Sequence, residues 1–298
     1  MKKIGVVGLG TMGLIVAKRL LQAGFVVYGF DINVRAIQHA QQQEIIVVPS
    51  LGDLADVVDA VWLMVPAGAI IDDIIKQLHP YMKKYSVIID GGNSKFTDSI
   101  RRSQELEAHQ ISFLDCGTSG GVKGEQLGFS LMIGGDKKVF EQAEPIFKAL
   151  AALKAYALVG SAGAGHYVKM IHNGIEYALL QSYAEGFELL KEGRYKNLDL
   201  AQITTVWSKA AIIRSYILEL SHEIFMHDQA LTNIEGSVEE TGMGQWTVDE
   251  AHAQKVQVPM IEQALKIRAW SRATGGNYAT KIVALLRNAF GKHPVKTN

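Results

Sequence analysis

One cysteine, Cys116, in 298 residues rules out an internal disulfide and fits a reducing compartment. Formal net charge is also missing: 30 Lys and Arg balance 30 Asp and Glu, so no global field draws in nucleic acid or an anionic membrane. No apolar run is long and clean enough to span a bilayer. Low-complexity segments and internal repeats are absent, and proline is scarce, with six in the chain. These absences leave an ordinary globular composition with 48% apolar residues. They predict a cytoplasmic protein that acts on a small molecule, with no nucleic-acid or membrane partner.

The start, MKKIGVVGLGTMGLIVA, mimics a secretion signal: two lysines, then an apolar run. That reading fails because the run continues into an amphipathic stretch (Ala17, Leu20, Leu21) with no convincing cleavage site. Charge is uneven further on. From Lys266 to the C-terminus there is no acid, yet Lys266, Arg268, Arg272, Lys281, Arg287, Lys292 and Lys296 are present. From Ser215 to Gln254 there are acids and no Lys or Arg. The basic tail is either a solubilising end or a set of arginines for an anionic small molecule such as a phosphate.

Short apolar runs at Ile4 to Val7, Val26 to Phe30, Ala60 to Val65, Val87 to Asp90, Phe113 to Cys116, Leu131 to Ile133 and Tyr156 to Val159 read as strands. Helical periodicity separates several of them. The pattern changes near Gly160, at the turn-like SAGAG. Beyond it no convincing strand remains: 166–192, 199–227 and 247–290 read as helical, with interruptions at 242–244 and at Gly275 and Gly276. The chain therefore divides into an α/β domain, residues 1–160, and an all-α domain, residues 161–298, for substrate and dimerisation.

Gly8-Leu9-Gly10-Thr11-Met12-Gly13 fits GxGxxG between a strand and a helix, and Asp31 ends the next strand. Gly8 makes the turn, Gly10 lets backbone approach a pyrophosphate, and Gly13 lets helix and strand pack. This context predicts a Rossmann-type, mostly parallel, doubly wound sheet that binds a dinucleotide. A carboxylate at Asp31 accepts hydrogen bonds from the ribose hydroxyls of NAD and repels the extra phosphate of NADP, so NAD is the preferred cofactor. Val65 and Pro66, ending the run from Ala60, are grouped with the cofactor residues. Two more glycine loops follow strands, Asp90-Gly91-Gly92-Asn93-Ser94 and Asp115-Cys116-Gly117-Thr118-Ser119-Gly120-Gly121. Both belong at the carboxyl edge of the sheet, where backbone N–H groups can meet an anion.

Gly165 to Tyr177, GHYVKMIHNGIEY, sets Lys169 and Glu176 seven residues apart on one helical face. His166, His172, Asn173 and Tyr177 lie on or beside the same stripe; Val168, Ile171, Ile175, Ala178 and Leu179 lie opposite. An exposed salt-bridged stripe explains a lone pair equally well. The intervening Asn and His favour an acid/base site.

GLGTMG, DGGNS, TSGG and GHYVKMIHNGIEY, in this order, resemble the decarboxylating 6-phosphogluconate dehydrogenases, in a short NAD-preferring form, within the β-hydroxyacid dehydrogenase superfamily. HNGIEY is the most specific piece, because other members of that superfamily typically lack the acid that here is Glu176. The resemblance implies oxidation of 6-phosphogluconate at carbon 3, loss of carbon dioxide, and protonation at carbon 1 of ribulose 5-phosphate. It implies Lys169 as base and Glu176 as acid, with no metal required because protonated Lys169 stabilises the developing oxyanion. Asn93 then touches nicotinamide and substrate, and Ser119, Gly120 and Gly121 hold the carboxylate. His172 and Asn173 orient hydroxyls, and Tyr177 meets the phosphate. Arg287-Asn288-Ala289-Phe290-Gly291-Lys292-His293 resembles the family's tail. That tail implies a homodimer or dimer of dimers in which Arg287 and His293 complete the neighbour's site. The family usually has a basic residue where Gln245 stands, which leaves the phosphate to Arg268, Arg272 or Arg287. The alternative substrate is an unphosphorylated sugar acid, or a small 3-hydroxy acid of another β-hydroxyacid dehydrogenase.

Overall fold

The computed structural model describes residues 2–297. The chain divides into two compact units, Met1–Met170 and Ile171–Asn298.

The first unit is built on one eight-stranded sheet: β1 (Lys3–Val7), β2 (Val26–Phe30), β3 (Ile46–Val47), β4 (Ala60–Leu63), β5 (Val87–Asp90), β6 (Ser112–Ser119), β7 (Phe129–Gly134) and β8 (Ala151–Gly160). Their spatial order is β3-β2-β1-β4-β5-β6-β7-β8. Every neighbouring pair is parallel except β6 and β7. Helices α1 (Thr11–Gln22), α2 (Val34–Gln41), α3 (Leu51–Val57), α4 (Ala69–Leu78), α5 (Phe96–Glu107), α6 (Gly124–Leu127) and α7 (Lys137–Leu150) connect them.

Strands β4 and β5 are buried at every position, because both faces of the sheet are covered. Side chains alternate between the two faces with a period of two. Ile4, Val6, Trp62 and Ile89 join one core with Val16 of α1 and Phe147 of α7. Val7, Val61, Leu63 and Ile88 join the other with Leu54 of α3 and Ile71 of α4.

The order turns outward in both directions from β1 and β4, which makes their carboxyl ends a crevice for ligands. In register, Val7 pairs with Leu63, Leu63 with Asp90, and Asp90 with Asp115. The loops after β1, β4 and β5 therefore leave from one edge. β6 continues past that row to Ser119.

Helix α8 (Ala164–Glu192) begins in the first unit and runs on into the second. Asp115 anchors its start. One carboxylate oxygen accepts from the Gly163 N–H at 2.6 Å and the other from the His166 N–H at 2.8 Å. Nδ1 of His166 lies 2.8 Å from the Ser99 hydroxyl.

The second unit continues with α9 (Leu200–Ala210), α10 (Tyr216–His227), α11 (Met243–Ala253), α12 (Pro259–Thr274) and α13 (Tyr278–Gly291). Leu180, Ala184 and Phe187 of α8 pack with Phe225 of α10 and Ile282 and Leu286 of α13.

The helical reading of 199–227 is corrected to two helices: Ser215 caps a new one, its hydroxyl accepting from the Leu218 N–H. The reading of 247–290 carries an interruption at Gly275 and Gly276, and the structure adds another between Ala253 and Pro259. Gly242 takes a left-handed conformation before α11, Pro259 opens α12, and left-handed Gly275 closes it. The two-residue strand β3 shows no periodicity to read. Along α8, Val168, Ile175 and Leu179 are exposed, whereas His166, Lys169 and Tyr177 are buried.

Asp115→Asn keeps the side chain's size and removes one of two buried acceptors. It is expected to cost about 2–3 kcal/mol in urea unfolding, the scale of a buried hydrogen bond to a charged group. A loss within measurement error contradicts the anchoring role.

Candidate active site

The glycine loop after β1 is shaped by close approach. Gly8 has φ +89°, and a Cβ there would meet the Met64 carbonyl oxygen at 2.3 Å. A Cβ on Gly13 would meet the Gly8 carbonyl oxygen at 1.8 Å. Around Gly10 nothing lies within 4 Å of a built Cβ, which leaves room for a ligand. The N-terminus of α1 has no side-chain cap and no acid in its first turn, with Thr11 exposed and Met12 half-buried. These unpaired N–H groups suit a pyrophosphate.

Asp31 follows β2. Its carboxylate accepts from the Leu9 N–H at 2.6 Å and the Asn33 N–H at 2.7 Å, which fixes it beside the glycine loop. Arg35 is exposed on the first turn of α2, and its N–H donates to Asn33 Oδ1. Val65 Cγ1 lies against Gly8, 2.8 Å from a Cβ built there, and Pro66 is exposed next to it. The residues present therefore fit a dinucleotide.

Asp90 folds the loop after β5. Its Oδ1 accepts from the Gly92 N–H at 3.1 Å and its Oδ2 from the Ser94 hydroxyl at 2.6 Å. Behind it lies Arg102, 1% exposed, whose Nη1 is 3.7 Å from Asp90 and whose Nε donates to Asp72 at 2.8 Å. This frame holds Asn93 exposed at the loop tip. Sequence reasoning missed Arg102, because a basic residue on an exposed-looking helix gives no sign of burial.

Past Asp115, β6 carries Cys116, Gly117, Thr118 and Ser119 beyond the edge, followed by Gly120 and Gly121, both at positive φ. Cys116 is fully buried, and burial pushes its thiol well up, so it is inert. Gly117 faces Lys169: a Cβ there would come within 2.4 Å of the lysine Cβ. Lys169 is 6% exposed. This packing brings the lysine to the strand whose end carries Ser119, Gly120 and Gly121.

Farther along α8, His172 Nδ1 lies 3.1 Å from Asn173 Oδ1. Glu176 is half-buried and Tyr177 is buried. In the second unit Tyr177 is the centre of a charged cluster. Its hydroxyl donates to Glu240 at 3.0 Å, with the Thr241 hydroxyl 3.3 Å away. The Arg268 guanidinium carbon lies 3.3 Å from the centre of its ring, a cation–π contact. Gly244 permits the ring's position, since a Cβ there would meet it at 2.4 Å.

Arg268 is 2% exposed and Arg287 is 4% exposed. Burial pushes Arg268 down to about 10, with Arg287 adding to the shift and the Tyr177 hydroxyl opposing it. Both terminal nitrogens of Arg268 are buried without a hydrogen-bond partner among the described residues. Burial, then Arg287 and Arg268, push His293 down to about 4. Two buried guanidiniums beside an imidazole are costly unless an anion joins them.

Comparison with known proteins follows the same division of the chain. A family model described as the NAD binding domain of 6-phosphogluconate dehydrogenase matches residues 3–163, and one for that enzyme's C-terminal domain matches residues 165–294. The chain belongs to the 6-phosphogluconate dehydrogenase family.

One relative, from Haloferax volcanii, is named an NAD(+)-dependent, decarboxylating 6-phosphogluconate dehydrogenase. It is 44% identical over 298 residues, which cover 98% of each chain. An enzyme of the same name from Bacillus subtilis is 34% identical, over 97% of this chain and 66% of its own length. Among solved structures, Plasmodium falciparum 6-phosphogluconate dehydrogenase is 26% identical with a TM-score of 0.82 over 91% of this chain and 62% of its own. Mycobacterium tuberculosis 3-hydroxyisobutyrate dehydrogenase is 23% identical with a TM-score of 0.76 over 96% of this chain and 99% of its own, and shows the shared fold.

Against the family's pattern, Gln245 is exposed on α11 and donates to Asp249 at 2.8 Å. Arg272 donates to the Val238 carbonyl at 3.0 Å. Arg268, one turn earlier on α12, is the guanidinium stacked on Tyr177. Arg287 and His293 lie within electrostatic range of this cluster.

The position of His293 sets a pH signature. Its folded value lies below its unfolded one, so the unfolded chain takes up more protons between about pH 6.5 and 4. Stability is therefore expected to fall through that window on acidification, and less so in His293→Gln. In the free protein the His293 ring signals should titrate near 4 by NMR, and inorganic phosphate should move that midpoint up. A midpoint near 6.5 contradicts the clustered arrangement.

Proposed function

We propose that this chain oxidises and decarboxylates 6-phospho-D-gluconate to D-ribulose 5-phosphate and carbon dioxide, with NAD preferred over NADP. The observation that carries the reading is Lys169, buried against Gly117 on the face of α8 that bears Glu176 two turns on. Membership of the 6-phosphogluconate dehydrogenase family supports it.

Gly8, Gly10, Thr11, Met12 and Gly13 hold the pyrophosphate, Asp31 the adenosine ribose, and Val65, Pro66 and Asn93 the remaining cofactor contacts. NAD held there would supply the acceptor for the hydride of carbon 3. Lys169 takes the proton of the carbon 3 hydroxyl. The product is a β-keto acid whose carboxylate rests on Ser119, Gly120 and Gly121. Carbon dioxide leaves and its bonding pair passes into an enediol, with protonated Lys169 beside the oxygen on carbon 3. Glu176 then donates a proton to the carbon that becomes carbon 1 of the product. His172 and Asn173 orient hydroxyls. Tyr177, Arg268, Arg287 and His293 receive the phosphate; Arg272 is assigned no part in this, given its bond to Val238.

The exposed apolar face of α8, Val168, Ile175 and Leu179, is suited to a second copy of the chain, so the protein works as a homodimer or a dimer of dimers. A single buried thiol suits the cytoplasm.

Lys169→Met is expected to lower kcat about 10²- to 10⁴-fold, the usual loss on removing a general base, with NAD affinity unchanged. Glu176→Gln should still form NADH while ribulose 5-phosphate appears slowly. Normal turnover in the lysine variant removes the mechanism. Asp31→Ser should raise KM for NAD about 10- to 100-fold, the value of hydrogen bonds to a charged group, and raise the relative use of NADP. An unchanged cofactor ratio rejects the role of Asp31.

A further inference from the structure

Two loops at the carboxyl edge of the sheet are joined from behind by one side chain. The first, Val65 to Gly68, follows β4 and leads into α4. The second, Gly91 to Ser94, follows β5. They lie against each other: a Cβ on Gly92 would come within 3.0 Å of the Val65 carbonyl oxygen.

Arg102 on α5 is almost wholly buried and reaches both. Its Nη2 donates to the Gly68 carbonyl at 3.0 Å. Its Nε donates to Asp72, in the first turn of α4. Its Nη1 faces Asp90 Oδ2, the oxygen that accepts from the Ser94 hydroxyl. Nη1 has no hydrogen-bond partner among the described residues, so its hold on Asp90 is a pairing of charges. Arg101 steadies Asp72 from the outer side, donating to its two oxygens at 2.9 and 3.0 Å. Burial pushes the Asp72 carboxyl up, but hydrogen bonds from Arg102 and then Arg101 outweigh it and hold the group below the ordinary carboxylate range.

A buried ion pair is a poor source of stability, since apolar side chains of the same volume often do as well. What a guanidinium adds is direction: its donors leave in a fixed planar fork and accept one arrangement of partners. Here the partners belong to two loops. Gly68 and Asp72 fix the loop of Val65 and Pro66, and Asp90 fixes the loop of Asn93. Neither loop touches the adenosine side, because Asp31 and the 8–13 glycines follow β2 and β1. A dinucleotide laid across the strand ends from Asp31 brings its nicotinamide toward β4 and β5.

We propose that Arg102 is a positioning residue for the nicotinamide half of the cofactor: it ties the 65–68 and 90–94 loops together and leaves the adenosine half alone. The assignment rests on the proposed placement of NAD.

Two ligands separate the halves. ADP-ribose carries the adenosine, the pyrophosphate and the second ribose without the nicotinamide; NADH carries all of them. Their dissociation constants are measured by calorimetry for the wild type and for Arg102→Lys, which keeps the charge and loses the fork. The variant is expected to bind NADH about 10-fold more weakly, the scale of a hydrogen bond to a charged group, and to bind ADP-ribose as the wild type does. Its kcat with 6-phosphogluconate at saturating NAD should fall as well, since the nicotinamide is held out of line. Equal weakening of both ligands, or no change in either, overturns the proposal.

Asp72→Asn covers the case in which Arg102→Lys does not fold, and the same ratio of NADH to ADP-ribose affinity decides. Wild-type turnover of 6-phosphogluconate with NAD is independent of that ratio. If turnover is found and the ratio does not move, the positioning role alone falls. If the wild type binds neither ligand, the cofactor reading falls and the proposal with it.

Discussion

The carboxylate of Asp115 is the contact on which the geometry of the lysine depends. It sits on β6 in register with Asp90 and takes the backbone N–H groups that open α8. With that joint fixed, α8 starts against the strand closely enough that only glycine fits at 117, opposite Lys169. Asp90 folds its own loop in the same manner and so presents Asn93. Asp31, just past β2, does so for Leu9 and Asn33. Asp31, Asp90 and Asp115 therefore share one device, a carboxylate at the sheet that accepts backbone N–H groups, joined at Asp90 by a serine hydroxyl. Rigid loops there are what a hydride transfer needs, because small displacements of reacting atoms cost large factors in rate.

The second unit follows a different logic. Its anionic segment, 234–242, and its basic helices, α12 and α13, meet around Tyr177. Two buried arginines share the place, one of them with nitrogens that have no hydrogen-bond partner among the described residues. A buried guanidinium without a partner is costly to the free fold, and an anion beside it offsets that cost. The neutral His293 adds a donor without a third full charge.

Much of this was legible in the residues. The glycine loop, Asp31 and the strand ends carry local rules of turn, dipole and alternation that hold whatever surrounds them. What stayed hidden depends on tertiary context. Two-residue β3 is too short for any period. The break between α9 and α10 rests on Ser215 as a cap, a residue equally at home on a helix surface. Arg268 and Arg272 lie one turn apart on α12, so spacing cannot tell their surroundings apart; in the structure Arg272 donates to Val238 and Arg268 stacks on Tyr177. Spacing sets out the two stripes of α8 and leaves open which of them is covered. An apolar stripe says that something covers it, and nothing local says whether the cover is the same chain.

On the proposed mechanism α8 supplies both a base and an acid to one substrate. Turnover in deuterium oxide tests it most directly, by the position and handedness of deuterium at carbon 1 of the ribulose 5-phosphate released. A positioned Glu176 delivers one deuteron to a single face of the enediol, giving one stereoisomer, and Glu176→Gln loses that preference. Equal labelling of both faces by the unaltered protein means that bulk water is the acid, and contradicts the account.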